Sequence, residues 1–222
     1  MRLSVVIPAL NEAGAVAEAV RSAAAGGAEV IVVDGGSADG TPERAAAAGA
    51  RVLHASPGRA RQLGVGAGEA RGEVVVFLHA DSVLPSGWAP VLIDCLRDPR
   101  VVGGSFRLRF AERSPGLAWI EWGVRLRVAL FGLPYGDQAL FARRSVLERV
   151  GGVPQVPILE DLDLVHRLRR EGRLARLPLA VETSARRYRT RGVLRTVLRN
   201  ALAALAWGLG FDRERLAAWY RR

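Results

Sequence analysis

Apolar runs and helical stretches alternate along the first hundred residues. Leu3 to Ile7, Val30 to Val33 and Val74 to Leu78 are short apolar runs without apolar/polar alternation, as expected of strands covered on both faces. Arg51 to His54 adds a shorter strand. Between them, Glu12 to Ala25 is rich in alanine, Thr41-Pro42-Glu43 opens a helix with proline in its first turn, and Gly58 to Ala70 completes a third helical stretch. Strands separated by helices require right-handed crossovers, so the spacing predicts an α/β fold with a mostly parallel central sheet.

The second half is less regular. Val101 to Phe110 alternates Phe106, Leu108 and Phe110 with Arg107 and Arg109, which predicts a half-exposed strand. Leu117 to Leu130 reads as a helix carrying Trp119 and Trp122. Leu133 to Asp137 reads as a loop. Ile158 to Arg170 starts with acids and ends with arginines, an order that suits a helix dipole. From Gly192 to Gly210 the chain is amphipathic. Its apolar run, Ala201 to Phe211, is broken by two glycines and falls short of the roughly 20 residues that span a bilayer. No internal repeat or low-complexity linker divides the chain, and a single domain of 222 residues is expected.

Three polar turns follow the three apolar strands: Pro8-Ala9-Leu10-Asn11-Glu12, then Asp34-Gly35-Gly36-Ser37-Ala38-Asp39-Gly40-Thr41, then His79-Ala80-Asp81-Ser82. In a parallel sheet the carboxyl ends of neighbouring strands open onto one crevice, so these turns should converge on a nucleotide-sized site. Asp34, at a strand end, is a candidate acceptor for a base N–H, and Glu12 for a ribose contact. Asp39 is equally suited to capping the next helix.

Composition removes several alternatives. All 32 of the Lys and Arg residues are arginine, which excludes a Walker A loop, a lysine Schiff base and a pyridoxal phosphate anchor, and counts against the alternative of a sugar nucleotidyltransferase, which normally uses a catalytic lysine. The single Cys95 excludes an intrachain disulfide and a multi-thiolate metal site. Gly64, Gly66 and Gly68 lie inside a helical stretch and do not complete a dinucleotide fingerprint. Met1-Arg2 leads directly into a strand, so a cytoplasmic chain is expected. The net charge of +10 is concentrated at one end: Arg186 to Arg222 holds ten arginines against Asp212 and Glu214, a net of +8. Such a segment suits an anionic lipid surface, and packing of its apolar face on the domain or a second subunit is the equal alternative. Nucleic acid is not an expected partner.

The order and spacing of these motifs resemble family 2 glycosyltransferases with a GT-A fold. Val6 to Glu12 resembles the opening strand and turn of that family, Val33 to Thr41 its second turn, and His79-Ala80-Asp81 stands at its D-x-D position. Glu160-Asp161 matches its E-D pair, and Tyr135-Gly136-Asp137-Gln138 matches the Gly-Asp-Gln element of its small bacterial members. The resemblance implies a Rossmann-like catalytic domain over residues 1–188, with a nucleotide-binding half of about 1–100 and an acceptor half of about 101–188. A basic amphipathic helical tail would occupy 189–222. It also implies inverting transfer of a sugar from a nucleoside-diphosphate donor, UDP- or GDP-linked, to an acceptor hydroxyl, with Mn²⁺ or Mg²⁺ as cofactor. Asp81 is then the metal ligand. Pro8, Ala9, Asn11, Glu12, Asp34, Gly36, Ser37, Asp39, Arg59, Arg61, His79 and Ala80 are nucleotide-binding candidates. Asp161 is the expected base, supported by Glu160, with Asp137 the alternative base or acceptor contact. Arg186 and Arg187 are further phosphate-binding candidates. His79 replaces the first acid of the metal motif, which keeps a non-catalytic nucleotide- or sugar-binding module open as the competing class. The acceptor is unknown, and the basic tail points to a lipid-linked one at the inner face of a membrane.

Overall fold

The computed structural model describes residues 1–221; the side chains of Arg187, Arg191 and Arg221 lie outside what it describes, and with them the phosphate-binding expectation for Arg187. In chain order the elements are β1 Leu3–Ala9, α1 Val16–Ala24, β2 Glu29–Asp34, α2 Thr41–Ala47, β3 Arg51–His54, α3 Arg59–Glu69, β4 Val74–Phe77, β5 Ser82–Val83 and α4 Trp88–Cys95. They continue with β6 Val101–Phe110, α5 Pro115–Phe131, a 3₁₀ turn at Gly136–Gln138, β7 Phe141–Arg143, α6 Arg144–Arg149, α7 Glu160–Glu171, β8 Arg173–Thr183, α8 Arg186–Arg191, α9 Val193–Gly208 and α10 Arg213–Arg221.

The strands form one mixed sheet in the order β3-β2-β1-β4-β7-β6-β8-β5. The first half is wholly parallel, as expected from the helical crossovers: β1 pairs with β2 and β4, and β2 with β3. The short β7 runs antiparallel to β4 and β6, and β8 returns parallel to β6. Sequence periodicity missed both β7 and β8. β7 has only three residues, and β8 carries Arg173, Arg176 and Pro178 in a segment without clean alternation. Pro178 falls where the β6–β8 register shifts between Ser105↔Arg176 and Arg107↔Ala180, a bulge that tolerates the missing N–H.

Two apolar layers cover the sheet. Val16, Ala19 and Val20 of α1, Ala45 of α2 and Trp88 and Leu92 of α4 cover one face, while Leu63 of α3, Val146 and Leu147 of α6 and Leu164, Val165 and Leu168 of α7 cover the other. Gly66 lets α3 lie flat on the sheet, because a Cβ there would fall 2.3 Å from Val6 Cγ1 and 2.9 Å from Val33 Cγ2. A third cluster joins Leu108 and Phe110 to Leu117, Ile120, Val124 and Val128 of α5. This changes the expectation for β6. Only its Arg107 side is open; the first six residues are buried because β7 and β8 flank them and helices cover both faces.

Candidate active site

The turns after β1 and β2 are joined by side-chain bonds. Ser37 Oγ accepts from the Asn11 N–H at 2.8 Å, and Asn11 Oδ1 accepts from the Ala38 N–H at 3.0 Å. Thr41 Oγ1 accepts from the Glu12 N–H at 2.8 Å, and Asp39 from the Ala13 N–H at 3.0 Å. These ties hold residues 11–13 against the second turn, and α1 begins at Val16 and not at Glu12. Asn11 adopts φ 55°, a left-handed conformation that asparagine tolerates better than most residues. From below, the buried Gln62 of α3 donates Nε2 to the carbonyls of Ala9 and Val33, both at 2.8 Å, and fixes the two strand ends side by side.

Asp34 is buried in its own turn. Its Oδ2 accepts from the Gly36 and Ser37 N–H groups at 2.8 and 2.9 Å, and the Ser37 hydroxyl donates to Oδ1. Burial pushes its carboxyl up, but the bonds from Ser37 and Gly36 outweigh this and hold it below the usual carboxylate range. The carboxylate therefore holds the Gly36–Ser37 backbone in shape. Asp39 is exposed and accepts from the Thr41 N–H and hydroxyl, one residue ahead of Gly40, the N-cap of α2. Pro8, Ala9, Asn11, Glu12, Gly36 and Ser37 all lie along this paired edge, where Ala9 and Asp34 are register partners.

The end of β4 divides the crevice. On one side His79 Nε2 is 3.2 Å from Arg59 Nη1, while Ala80 is buried against the core. Arg59 is an ion-pair partner of Glu160 and lies 3.2 Å from Asp161 Oδ2. Burial works against its charge, yet Glu160 and Asp161 raise its pKa above the usual arginine value. The diphosphate expectation for Arg59 is thus met by a different arrangement, in which the guanidinium neutralises the two acids. Arg61, two residues on, is exposed and is not brought into this cluster.

Asp161 is held still. Its Oδ2 accepts from the Gly136 N–H at 2.7 Å and its Oδ1 from the Leu162 N–H at 2.9 Å. Gly136 favours this approach: a Cβ there would press on Asp161 Oδ2 and His79 Nε2 at 3.3 Å. Gln138 secures the rest of the turn, accepting from the Tyr135 N–H at 3.2 Å and donating to the Phe106 carbonyl at 3.2 Å. Arg127 stacks 3.4 Å above the Tyr135 ring. Asp137 Oδ1 is buried with no hydrogen-bond partner among the described residues. Burial, reinforced by Asp161 and opposed by Arg127 and Arg59, pushes the Asp137 carboxyl above its usual range.

On the other side of β4, Asp81 faces Glu12 and Arg186. Arg186 is an ion-pair partner of Glu12 and lies 4.0 Å from Asp81 Oδ2. Burial first, and then the like charge of Glu12, raise the Asp81 carboxyl, while Arg186 opposes them. Glu12 Oε2 is buried with no hydrogen-bond partner among the described residues. Among the described residues no three His, Cys, Asp or Glu side chains form a ready-made metal cage. Two hard oxygen donors with an unsatisfied acceptor and a surplus of negative charge do fit a divalent cation that completes its shell with ligand oxygens and water.

A cavity of about 340 Å³ opens beyond the acid pair. Arg59, His79, Tyr135, Asp137, Glu160 and Asp161 line one side, and Asn200, Ala203, Ala217 and Tyr220 close the other. Leu159 enters α7 with φ 60°, a strained conformation for leucine at the head of the acid pair. Sequence reading missed the contribution of the last two helices, because it depends on tertiary docking. Trp207 Nε1 and Arg213 Nη2 donate to Asp163 Oδ1 at 2.6 and 2.7 Å, which locks α9 and α10 onto α7.

The family model described as Glycosyl transferase family 2 matches residues 4–139. The chain is 34% identical over 119 residues to glucosyl-3-phosphoglycerate synthase of Mycolicibacterium paratuberculosis, covering 48% of this chain and 35% of that protein. It is 32% identical over 169 residues to undecaprenyl-phosphate 4-deoxy-4-formamido-L-arabinose transferase of Pseudomonas aeruginosa, covering 66% and 48% respectively. The matched region thus spans between about a third and a half of these curated relatives. Among solved structures, glucosyl-3-phosphoglycerate synthase from Mycobacterium tuberculosis, with Mn²⁺, uridine-diphosphate-glucose and phosphoglyceric acid, shares 22% identity at a TM-score of 0.64 over 95% of this chain and 80% of that one. The TarS structure from S. aureus with UDP-GlcNAc shares 18% identity at a TM-score of 0.61 over 83% and 58%. These structural likenesses establish the shared GT-A fold.

Proposed function

The chain belongs to glycosyl transferase family 2, and on that premise we propose that it is an inverting glycosyltransferase moving a sugar from a nucleoside-diphosphate donor to an acceptor hydroxyl. The observation that carries this reading is that the joined turns after β1 and β2 stand beside the end of β4, whose His79 lines, with Asp137, Glu160 and Asp161, a cavity of about 340 Å³. The joined turns bind the nucleoside through the Gly36–Ser37 backbone, with Asp34 holding that backbone in shape. Asp81 and Glu12 would hold a divalent ion, Mn²⁺ or Mg²⁺ as in the solved relatives, whose chemistry is to offset charge developing on a diphosphate leaving group. Arg186 sits on the same two carboxylates and is placed to turn toward phosphate oxygens, for which its planar fork is suited.

Asp161 accepts the proton of the acceptor hydroxyl in this proposal. The Gly136 N–H and Arg59 fix its orientation, and Glu160 shares the arginine, so the carboxylate needs no reorganisation as the reaction begins. A second assignment rests on one observation: Asp137 has a buried oxygen without a partner and a raised carboxyl pKa, which suit a proton acceptor in the same cavity. Comparison of Asp161→Asn with Asp137→Asn decides between them. For the true base, donor binding persists while transfer falls by roughly 10² to 10⁴. If both variants keep full transfer, neither carboxylate is the base; if wild type binds the nucleotide and transfers no sugar, the catalytic reading fails and a nucleotide-binding module remains.

For the acceptor, the two curated relatives differ in kind: one is named for a phosphoglycerate, the other for undecaprenyl phosphate. The basic tail favours the second class, with the chain cytoplasmic and peripheral to the membrane. No described helix is long and apolar enough to cross a bilayer, so any attachment through these helices would be at the surface.

A further inference from the structure

Helix α5 packs on the end of β6 through a buried cluster that includes Ile120 and Val124, and α9 packs against that cluster through the partly buried Val193 and Val197. On both helices the opposite face is apolar as well. Trp119, Trp122, Leu126 and Leu130 recur at three- and four-residue spacing along α5 and are 61, 57, 41 and 66% exposed. Leu194, Leu198, Leu202 and Leu205 do the same along α9 at 77, 56, 43 and 59%. A helix packed on one side normally turns a polar face to water, and contiguous large apolar side chains there mark an interaction surface.

We propose that α5 and α9 form one docking platform for an anionic bilayer surface. Part of the argument is charge. Helices α5 and α9 carry Arg125, Arg127, Arg195 and Arg199 against the single acid Glu121, which is buried and paired with Arg125, and Arg195 is exposed beside the leucine row of α9. A two-fold pairing of this face with a second copy would bring identical basic segments together, whereas anionic headgroups attract them. The other part is position. Asn200 and Ala203 of α9 line the acidic cavity, while Leu198 and Leu202 on the same turns point outward. Docking therefore holds the cavity about one helix diameter, ~10 Å, from the headgroups, within reach of an acceptor anchored in the lipid. The platform deepens the lipid-linked acceptor reading above and rests on it for the acceptor, although attachment itself does not depend on catalysis.

The test uses the full chain with vesicles of phosphatidylcholine alone and of phosphatidylcholine with phosphatidylglycerol, at low and high salt. Co-sedimentation and tryptophan emission report attachment. Thermal protection by UDP with Mn²⁺, measured on the same samples, reports the nucleotide site. Wild type should sediment with the anionic vesicles, with a blue shift from Trp119 and Trp122, and high salt should weaken attachment. Trp119→Gln with Trp122→Gln, or Leu198→Gln with Leu202→Gln, should each lower partitioning at least tenfold with UDP protection unchanged. All four positions are exposed, so circular dichroism should stay as in wild type. Absence of wild-type binding overturns the platform, as do variants that bind like wild type. A dimer that the variants dissociate, without vesicle binding, makes a second copy the occupant and also overturns it. Vesicle binding without UDP protection supports the platform and counts against the nucleotide site.

Discussion

Arg59 is the residue whose removal most directly tests how the acidic cavity is held. Glu160 and Asp161 have side chains only 5 and 9% exposed, and Arg59 is the cation on both. Replacing it with methionine keeps most of the apolar stem but leaves two carboxylates in a poorly hydrated site. Breaking a buried ion pair from one side costs about 3 to 5 kcal/mol. Because the arginine side chain is itself 37% exposed, water screens part of the interaction, and the expected loss falls to about 2 to 3 kcal/mol. For a chain of this size that is a drop of roughly 4 to 12 °C in thermal midpoint, measurable by circular dichroism. Adding Glu160→Gln to Arg59→Met should recover part of the loss, since the uncompensated charge is the cause. A midpoint within a degree of wild type, or no recovery in the double variant, would refute this account of the site.

Other changes separate structure from chemistry. Asp81→Asn should abolish Mn²⁺ binding by calorimetry yet raise the midpoint of the ligand-free protein at pH 7. A carboxyl whose pKa is raised in the folded state opposes folding when ionised, so this gain should fade as the pH falls through that raised pKa. Asp34→Ala should weaken UDP binding by about 1 to 3 kcal/mol because the Gly36 and Ser37 N–H groups lose their acceptor; unchanged affinity in calorimetry would show that the turn keeps its shape without Asp34. The glycines of α3 give opposite signs. Gly66→Ala should destabilise by about 1 to 3 kcal/mol through contact with Val6, while Gly68→Ala, with open space around it, should stabilise by about 0.5 to 1 kcal/mol. Denaturant midpoints moving together in the two variants would contradict the packing argument.

By itself, the sequence determined the parallel half of the sheet and the crevice at its edge. Apolar runs such as Val30 to Val33 can be satisfied only when covered on both faces, and the polar turns that follow them are then forced to one edge of the sheet. It also determined the pairing of acids at Glu160 and Asp161, which the structure places in the cavity. Tertiary structure alone decided what each charge does. Arg59 was expected at a diphosphate, and two buried acids about a hundred residues away claim it. β8 was invisible because its arginines and Pro178 lack alternation, and it becomes a strand only where β6 offers an edge with a bulge. Basic and apolar residues in the tail could be read as a surface segment, but local patterning cannot say which face a helix buries. Only the docking of Trp207 and Arg213 onto Asp163 turns α9 so that Asn200 and Ala203 wall the cavity and its leucines face outward.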